Sequence, residues 1–149
     1  MKEMKLIPGK TGANFYNQVV ISNPKGEVRK YLPKPGEENS FVKEVYFSTL
    51  LSNEQKKWKC NKNQAQNITV AFGRIAVICI SAIKGGFVYE EFLIDAGLNH
   101  GVLEIPSGTI YGLFTDSEGA LIVNALEDIY RVSDAVEVLD KFDLTPKCL

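Results

Sequence analysis

From Tyr46 to Leu126 the chain is cut into about seven short runs of β-branched and aromatic residues, with turn formers recurring roughly every eight to twelve positions. Runs this short leave little room for amphipathic helices, so the pattern predicts an antiparallel sandwich or jelly-roll barrel. The first run is Phe41 to Leu50, closed by a polar loop from Ser52 to Lys57. Next comes the stretch Trp58 to Gly73, a knot of polar side chains leading into a strand that stops at the glycine. Gly73 reads as a tight turn, after which Arg74 to Ile80 starts a second strand. Lys84-Gly85-Gly86 is a hairpin turn with Phe87 to Ile94 as its return strand. The short run Val102 to Ile105 follows a glycine-punctuated loop in which His100 reads as a surface residue. Thr109 to Phe114 is the next strand, and Asp116-Ser117-Glu118-Gly119 is expected to turn the chain so that Ala120 to Leu126 runs back. A short helix is predicted over Ser133 to Phe142, with Ser133 as cap and Val136, Val138 and Leu139 as a partial apolar face.

The first forty residues are rich in turn formers, with strand candidates at Gln18 to Ser22 and Val28 to Leu32 around Asn23-Pro24-Lys25-Gly26. They read as an N-terminal β arm of about residues 1–40, before a core of about 41–130 and a helical tail of about 133–142. All belong to one domain over 1–149. The 17 Lys plus Arg against 18 Asp plus Glu give no electrostatic reason to expect nucleic acid or an anionic membrane as partner. The longest apolar run, near Ile75 to Ile83, is too short to cross a bilayer, and the N-terminus does not read as a signal peptide. Together these predict a cytoplasmic protein. Cys60, Cys79 and Cys148 read as free thiols, and one histidine with no closely spaced cysteine pair predicts no zinc site.

The order E-V-Y-F-S (Glu44 to Ser48), K-x-W-K-C-N-K-N-Q-A-Q-N-I-T-V-A-F-G-R-I (from Lys56), E-I-P-S-G-T-I-Y-G-L-F (Glu104 to Phe114) and A-L-I-V-N (Ala120 to Asn124) resembles the cupin nucleotide-sugar epimerases. These are relatives of dTDP-4-dehydrorhamnose 3,5-epimerase, in a branch found in O-antigen and other surface-polysaccharide pathways. The resemblance spans roughly residues 27–142. It implies a cupin jelly-roll barrel, a homodimer whose arms cross between copies, and a CDP- or dTDP-linked 4-keto-6-deoxyhexose as substrate. It also implies proton transfer beside the ketone with no metal or cofactor, inverting C3, or C3 and C5. A 3,4-ketoisomerase, or a catalytically inactive cupin that binds sugar nucleotides, is the alternative.

In such relatives a histidine held by an acidic partner is the base and a tyrosine the acid. This chain has Lys59-Cys60-Asn61 where relatives carry a histidine or a His-x-His pair, Tyr111 in place of a second histidine, and Asn124 in place of a tyrosine. An amide is no base, so Asn61 is expected to stabilise an enolate oxygen. The proton carrier is expected at Tyr111, then Tyr130, then Tyr46, with Lys59 a base if burial lowers its pKa. Each tyrosine also fits plain packing at a sheet edge, and the polar knot also fits turn hydrogen bonding. For substrate binding the candidates are Arg29, Arg74, Lys57, Gln64, Asn67 and Asn124, with Arg29 favoured for the diphosphate because guanidinium grips phosphate bidentately. Gln66 and Asn67 must face opposite sides of a strand, and the motif favours Asn67 as the inward one.

Overall fold

The computed structural model describes residues 5–131, 134–138 and 142–149. Among the described residues there are eleven strands: β1 (Lys5–Pro8), β2 (Asn14–Asn17), β3 (Val20–Asn23), β4 (Gly26–Arg29), β5 (Glu44–Leu50), β6 (Gln55–Asn61), β7 (Gln66–Ile83), β8 (Gly86–Asp95), β9 (Gly101–Ile105), β10 (Ile110–Leu126) and β11 (Ala135–Glu137). Nine form one curled sheet in which β7 and β10 are the antiparallel spine, while β3 and β4 stand apart as a hairpin. The arm is therefore divided. β1 pairs parallel with β8 and β2 antiparallel with β9, both inside the main sheet, and the separate part is the hairpin from Val20 to Arg29.

The two turns expected at Gly73 and at Asp116 to Gly119 are not reversals. β7 and β10 each run straight through, and their mutual register slips between Thr115 and Ala120 and again between Leu121 and Ile122. Gly73 and Gly119 both have positive φ, and Gly73 pairs with Ala120. A side chain at Gly73 would put its Cβ 2.2 Å from the Gly119 carbonyl oxygen, so the two ribbons close to backbone contact where they bend. The bend changes which residues face inward. On β7, Ile68 and Val70 before it and Ile75, Val77 and Cys79 after it belong to one apolar cluster. That cluster fills the space between the two halves of the curled sheet, together with Leu50, Leu103, Ile105 and Ile122.

A second cluster lies on the opposite face of the later half of β7, where Ala76, Ile78 and Ile80 meet Trp58 and Phe114. Trp58 is fully buried, donates its indole N–H to the Phe142 carbonyl and meets the Phe142 ring edge-on at 5.9 Å. The C-terminal segment 142–149 thus covers this face, fastened by the backbone N–H groups of Lys147 and Cys148 donating to the Glu91 carboxylate.

The helix expected over 133–142 is replaced, over Ala135–Glu137, by β11 paired to β6, and Val138 N–H donates to the Trp58 carbonyl. Residues 133 and 139–141 lie outside the described residues. An apolar spacing of two at Val136 and Val138 fits a strand as well as a helical turn, and the free edge of β6 decides between them. His100 is not a surface residue: it is 9% exposed, and its Nε2 is 2.5 Å from the Lys30 carbonyl oxygen.

Candidate functional site

β5 alternates strictly, with Glu44, Tyr46, Ser48 and Leu50 turned inward and Val45, Phe47 and Thr49 exposed. β5 pairs with the later half of β10, setting Tyr46 opposite Asn124, while the early half of β10 pairs with β6, setting Tyr111 opposite Lys59. The bend in β10 turns Tyr111 and Leu113 before it and Ile122 and Asn124 after it to the same hollow. Two adjoining cavities result, of about 300 and 90 Å3. Tyr46, Lys59 and Tyr111 line both; Glu44, Asn61, Gln66 and Tyr130 complete the larger, and Ser48, Lys56 and Asn124 supply the other polar groups of the smaller.

All five residues expected to carry chemistry, Tyr111, Asn61, Tyr130, Lys59 and Tyr46, therefore meet at one place. Burial, and after it the neighbouring Tyr46 and Tyr130, push the Tyr111 phenol up, and its hydroxyl makes no hydrogen bond with the described residues. A phenol so placed holds its proton at neutral pH and suits an acid better than a base. Burial also raises Tyr46, and the hydrogen bond from Asn124 only partly offsets it. The Asn61 Oδ1 accepts from the backbone N–H groups of Asn63 and Gln64, at 3.0 and 3.1 Å. Its oxygen is spent on the turn, which leaves the Nδ2 amide as the group Asn61 offers the cavity. Tyr130 stacks at a tilt on Tyr46, with centroids 6.3 Å apart, and its backbone N–H reaches the Glu44 carboxylate at 3.3 Å.

The binding candidates divide. Asn124 lies on the cavity wall; Arg29, Arg74, Lys57, Gln64 and Asn67 do not. Arg29 pairs with Glu27 on the hairpin, and Arg74 pairs with Asp116 at 2.6 Å; both border a different hollow beside Gly97 and Glu118. Lys57 sits 5.9 Å from the Trp58 ring centroid. Gln64 bridges to the backbone of Asp128 through both ends of its amide. Gln66, not Asn67, faces the cavity, since it shares the inward parity of Ile68 and Val70. Asn67 is buried on the other face, where Lys34 Nζ donates to its Oδ1 at 2.8 Å and its own Nδ2 donates to the Ala125 carbonyl.

Three polar residues of this wall, Glu44, Ser48 and Lys56, escaped sequence reasoning, and a fourth, Gln66, was passed over for Asn67. The alternation of β5 was the available signal for Glu44 and Ser48, because residues two apart from Tyr46 share its face. Lys56 Nζ donates to Ser48 Oγ at 2.8 Å and to the Thr49 carbonyl at 3.1 Å; partial burial, then the charge of Lys59, holds its pKa below the usual lysine range. Among the described residues no group of three His, Cys, Asp or Glu is placed to hold a metal ion, and no helix is long and apolar enough to cross a membrane.

A curled nine-stranded β sheet enclosing a polar, tyrosine-rich hollow defines a cupin jelly-roll barrel. Solved structures bear out the fold that the resemblance implies. A dTDP-sugar isomerase from Desulfovibrio desulfuricans matches over 85% of this chain and 83% of its own, with TM-score 0.76 and 23% identity. A 3'-monoepimerase from Streptomyces bikiniensis, in complex with dTDP-quinovose, matches over 88% and 72% with TM-score 0.75 and 15% identity. A TDP-quinovose 3,4-ketoisomerase from Campylobacter jejuni matches over 87% and 95% with TM-score 0.68 and 18% identity. No protein-family model and no curated protein matches the sequence.

Proposed function

We propose that the cavity binds a nucleotide-linked 4-keto-6-deoxyhexose and epimerises it at C3 without a cofactor. The observation that carries this reading is the convergence of one carboxylate, three phenols, an amide pair and Lys59 on a hollow of about 300 Å3, at the small end of ligand sites. A proton beside a ketone is acidic enough for a carboxylate to remove, provided the enolate oxygen is held by donors. Glu44, the carboxylate on the wall, takes the C3 proton, and the electron pair passes through C3–C4 to the oxygen at C4. Tyr111, pinned on the partner strands of β10 and β6, returns a proton to C3 from the opposite face as the ketone re-forms. Solvent then restores the proton to Tyr111 and takes one from Glu44.

For the diphosphate, Lys56 and Lys59 are the cations at the cavity itself. Arg29 serves from a second copy, carried on the β3–β4 hairpin across a homodimer. The exposed Val45 and Phe47 on β5, whose outer edge is unpaired among the described residues, support such an interface. Sedimentation at micromolar concentration checks it, and a purely monomeric protein would remove Arg29 from the site. The product would enter lipopolysaccharide O-antigen synthesis in the cytoplasm, from a CDP- or dTDP-linked precursor.

The cavity contains no histidine, since His100 lies on the other face of the sheet, and this favours a second reading in which a sugar nucleotide binds without reaction. NMR in deuterium oxide with dTDP- and CDP-4-keto-6-deoxyglucose separates the readings. Deuterium at C3 with the C4 ketone retained and C3 inverted is the expected result. A ketone moved to C3 would make the protein a 3,4-ketoisomerase. Binding with no deuterium uptake at any carbon would leave only the silent cupin.

A further inference from the structure

A backbone group sets the direction of hydrogen bonding across the cavity wall. The Asn67 N–H can only donate, so the atom facing it at 3.0 Å is the Asn124 oxygen. The other end of that amide is therefore Nδ2, and its two hydrogens are both committed, one to Tyr46 Oη at 2.8 Å and one to Gln66 Oε1 at 2.5 Å. Each recipient has then used an acceptor and kept its donor. Gln66 is 2% exposed, and its Nε2 is buried with no hydrogen-bond partner. The Tyr46 hydroxyl finds no acceptor for its own proton among the described residues. A buried donor without a partner is rare because it is costly, and the Gln66 side chain shares with the half-buried Tyr46 hydroxyl one neighbouring nitrogen and one cavity.

We propose that Gln66 Nε2 and Tyr46 Oη form a two-donor site for a single ligand oxygen, the C4 carbonyl of the keto sugar, which gains charge as C3 is deprotonated. The assignment rests on the function proposed above and names the group that stabilises its intermediate. No proton is transferred at this site; both hydrogen bonds strengthen as the oxygen becomes an enolate. A carbonyl suits it because it accepts twice and donates nothing, whereas an ammonium would meet two donors. Burial of the Tyr46 phenol keeps it protonated, and so a donor, at neutral pH. Asn124 acts as a positioning residue: its Nδ2 donates to the Tyr46 hydroxyl and to the Gln66 carbonyl oxygen, and so sets the direction of both donors.

Isotope-labelled protein titrated with dTDP-4-keto-6-deoxyglucose, its CDP counterpart and each free nucleotide provides the test. The Gln66 side-chain amide resonance, assigned through Gln66→Met, is expected to shift with a keto sugar nucleotide and to stay in place with the free nucleotide. Deuterium uptake at C3 is expected to fall roughly 100- to 1,000-fold in Gln66→Met and in Tyr46→Phe, with nucleotide affinity within about threefold. Asn124→Asp should fall as far, because a carboxylate draws both donors toward itself. A resonance unmoved at saturating keto sugar, or full uptake in both Gln66→Met and Tyr46→Phe, overturns the donor pair. A wild-type protein that binds and shifts the resonance but takes up no deuterium keeps the pair and loses the epimerase. Failure to bind either sugar nucleotide overturns both.

Discussion

Tyr111→Phe is expected to uncouple deuterium uptake from inversion. If Glu44 removes the C3 proton and Tyr111 delivers one to the other face, the variant still forms the enolate and Glu44 returns a proton to the face it came from. Deuterium then enters C3 with configuration retained, while the epimer falls by at least about 100-fold, the typical worth of a placed general acid. Glu44→Gln should lose both together, because no enolate forms. The backbone around Glu44 should be undisturbed, since among the described residues the carboxylate receives one long hydrogen bond, from the Tyr130 backbone N–H, and the amide can still accept it. NMR of recovered sugar nucleotide reads uptake and configuration in one spectrum. Epimer at the wild-type rate in Tyr111→Phe would move the acid to Tyr46 or Tyr130, and full uptake in Glu44→Gln would move the base to a lysine.

The second large effect is on stability. Lys34 is 4% exposed, and its ammonium donates to Asn67 Oδ1, Glu104 and Glu37. It ties the loop after the hairpin to β7 and β9, one layer behind the cavity wall. Lys34→Met leaves the Asn67 oxygen buried without its donor and Glu104 without its cation. The expected loss is about 2–4 kcal/mol, below that of a wholly buried pair because both glutamates keep some water. For a chain of this length that lowers Tm by roughly 5–15 °C. Burial by itself would lower the Lys34 pKa, but its hydrogen bonds to Glu104 and Glu37 outweigh it and the net direction is up. The charged form is therefore held more tightly when folded. Its contribution is complete below the free-lysine pKa of about 10.4 and is lost as pH rises through the folded value. Calorimetry should show a gap between wild type and Lys34→Met that is constant from neutrality to about pH 10 and closes above it. A gap under about 2 °C at pH 7 would mean that the cluster contributes nothing net.

Turn chemistry was readable where it acts alone. Lys84-Gly85 supplies a positive φ at Gly85 and a two-residue hairpin between β7 and β8, with nothing else needed. Gly73 carries the same local signal, yet there the chain bends and continues, because β10 bends beside it and keeps the ladder going. A glycine announces an unusual backbone angle, and only the partner strand decides whether that angle reverses the chain or kinks it. His100 misled for a related reason: the Lys30 segment that buries it lies seventy residues away.

Part of the cavity wall was present as letters. Short β runs dictated an all-β chain, and the residues around Lys59, Tyr111 and Asn124 marked one pocket through resemblance to a cupin family. Which face each side chain takes was not present. The alternation of β5 is intrinsic to any strand, so Glu44 could have been read beside Tyr46. Gln66 and Asn67 are adjacent amides in the same strand, and either parity is equally compatible with the letters. The bends in β7 and β10, set by contact between the two ribbons, chose Gln66 for the cavity and Asn67 for the Lys34 cluster. Pairing register is a tertiary property, and one residue of slip exchanges the wall of a pocket for its outer support.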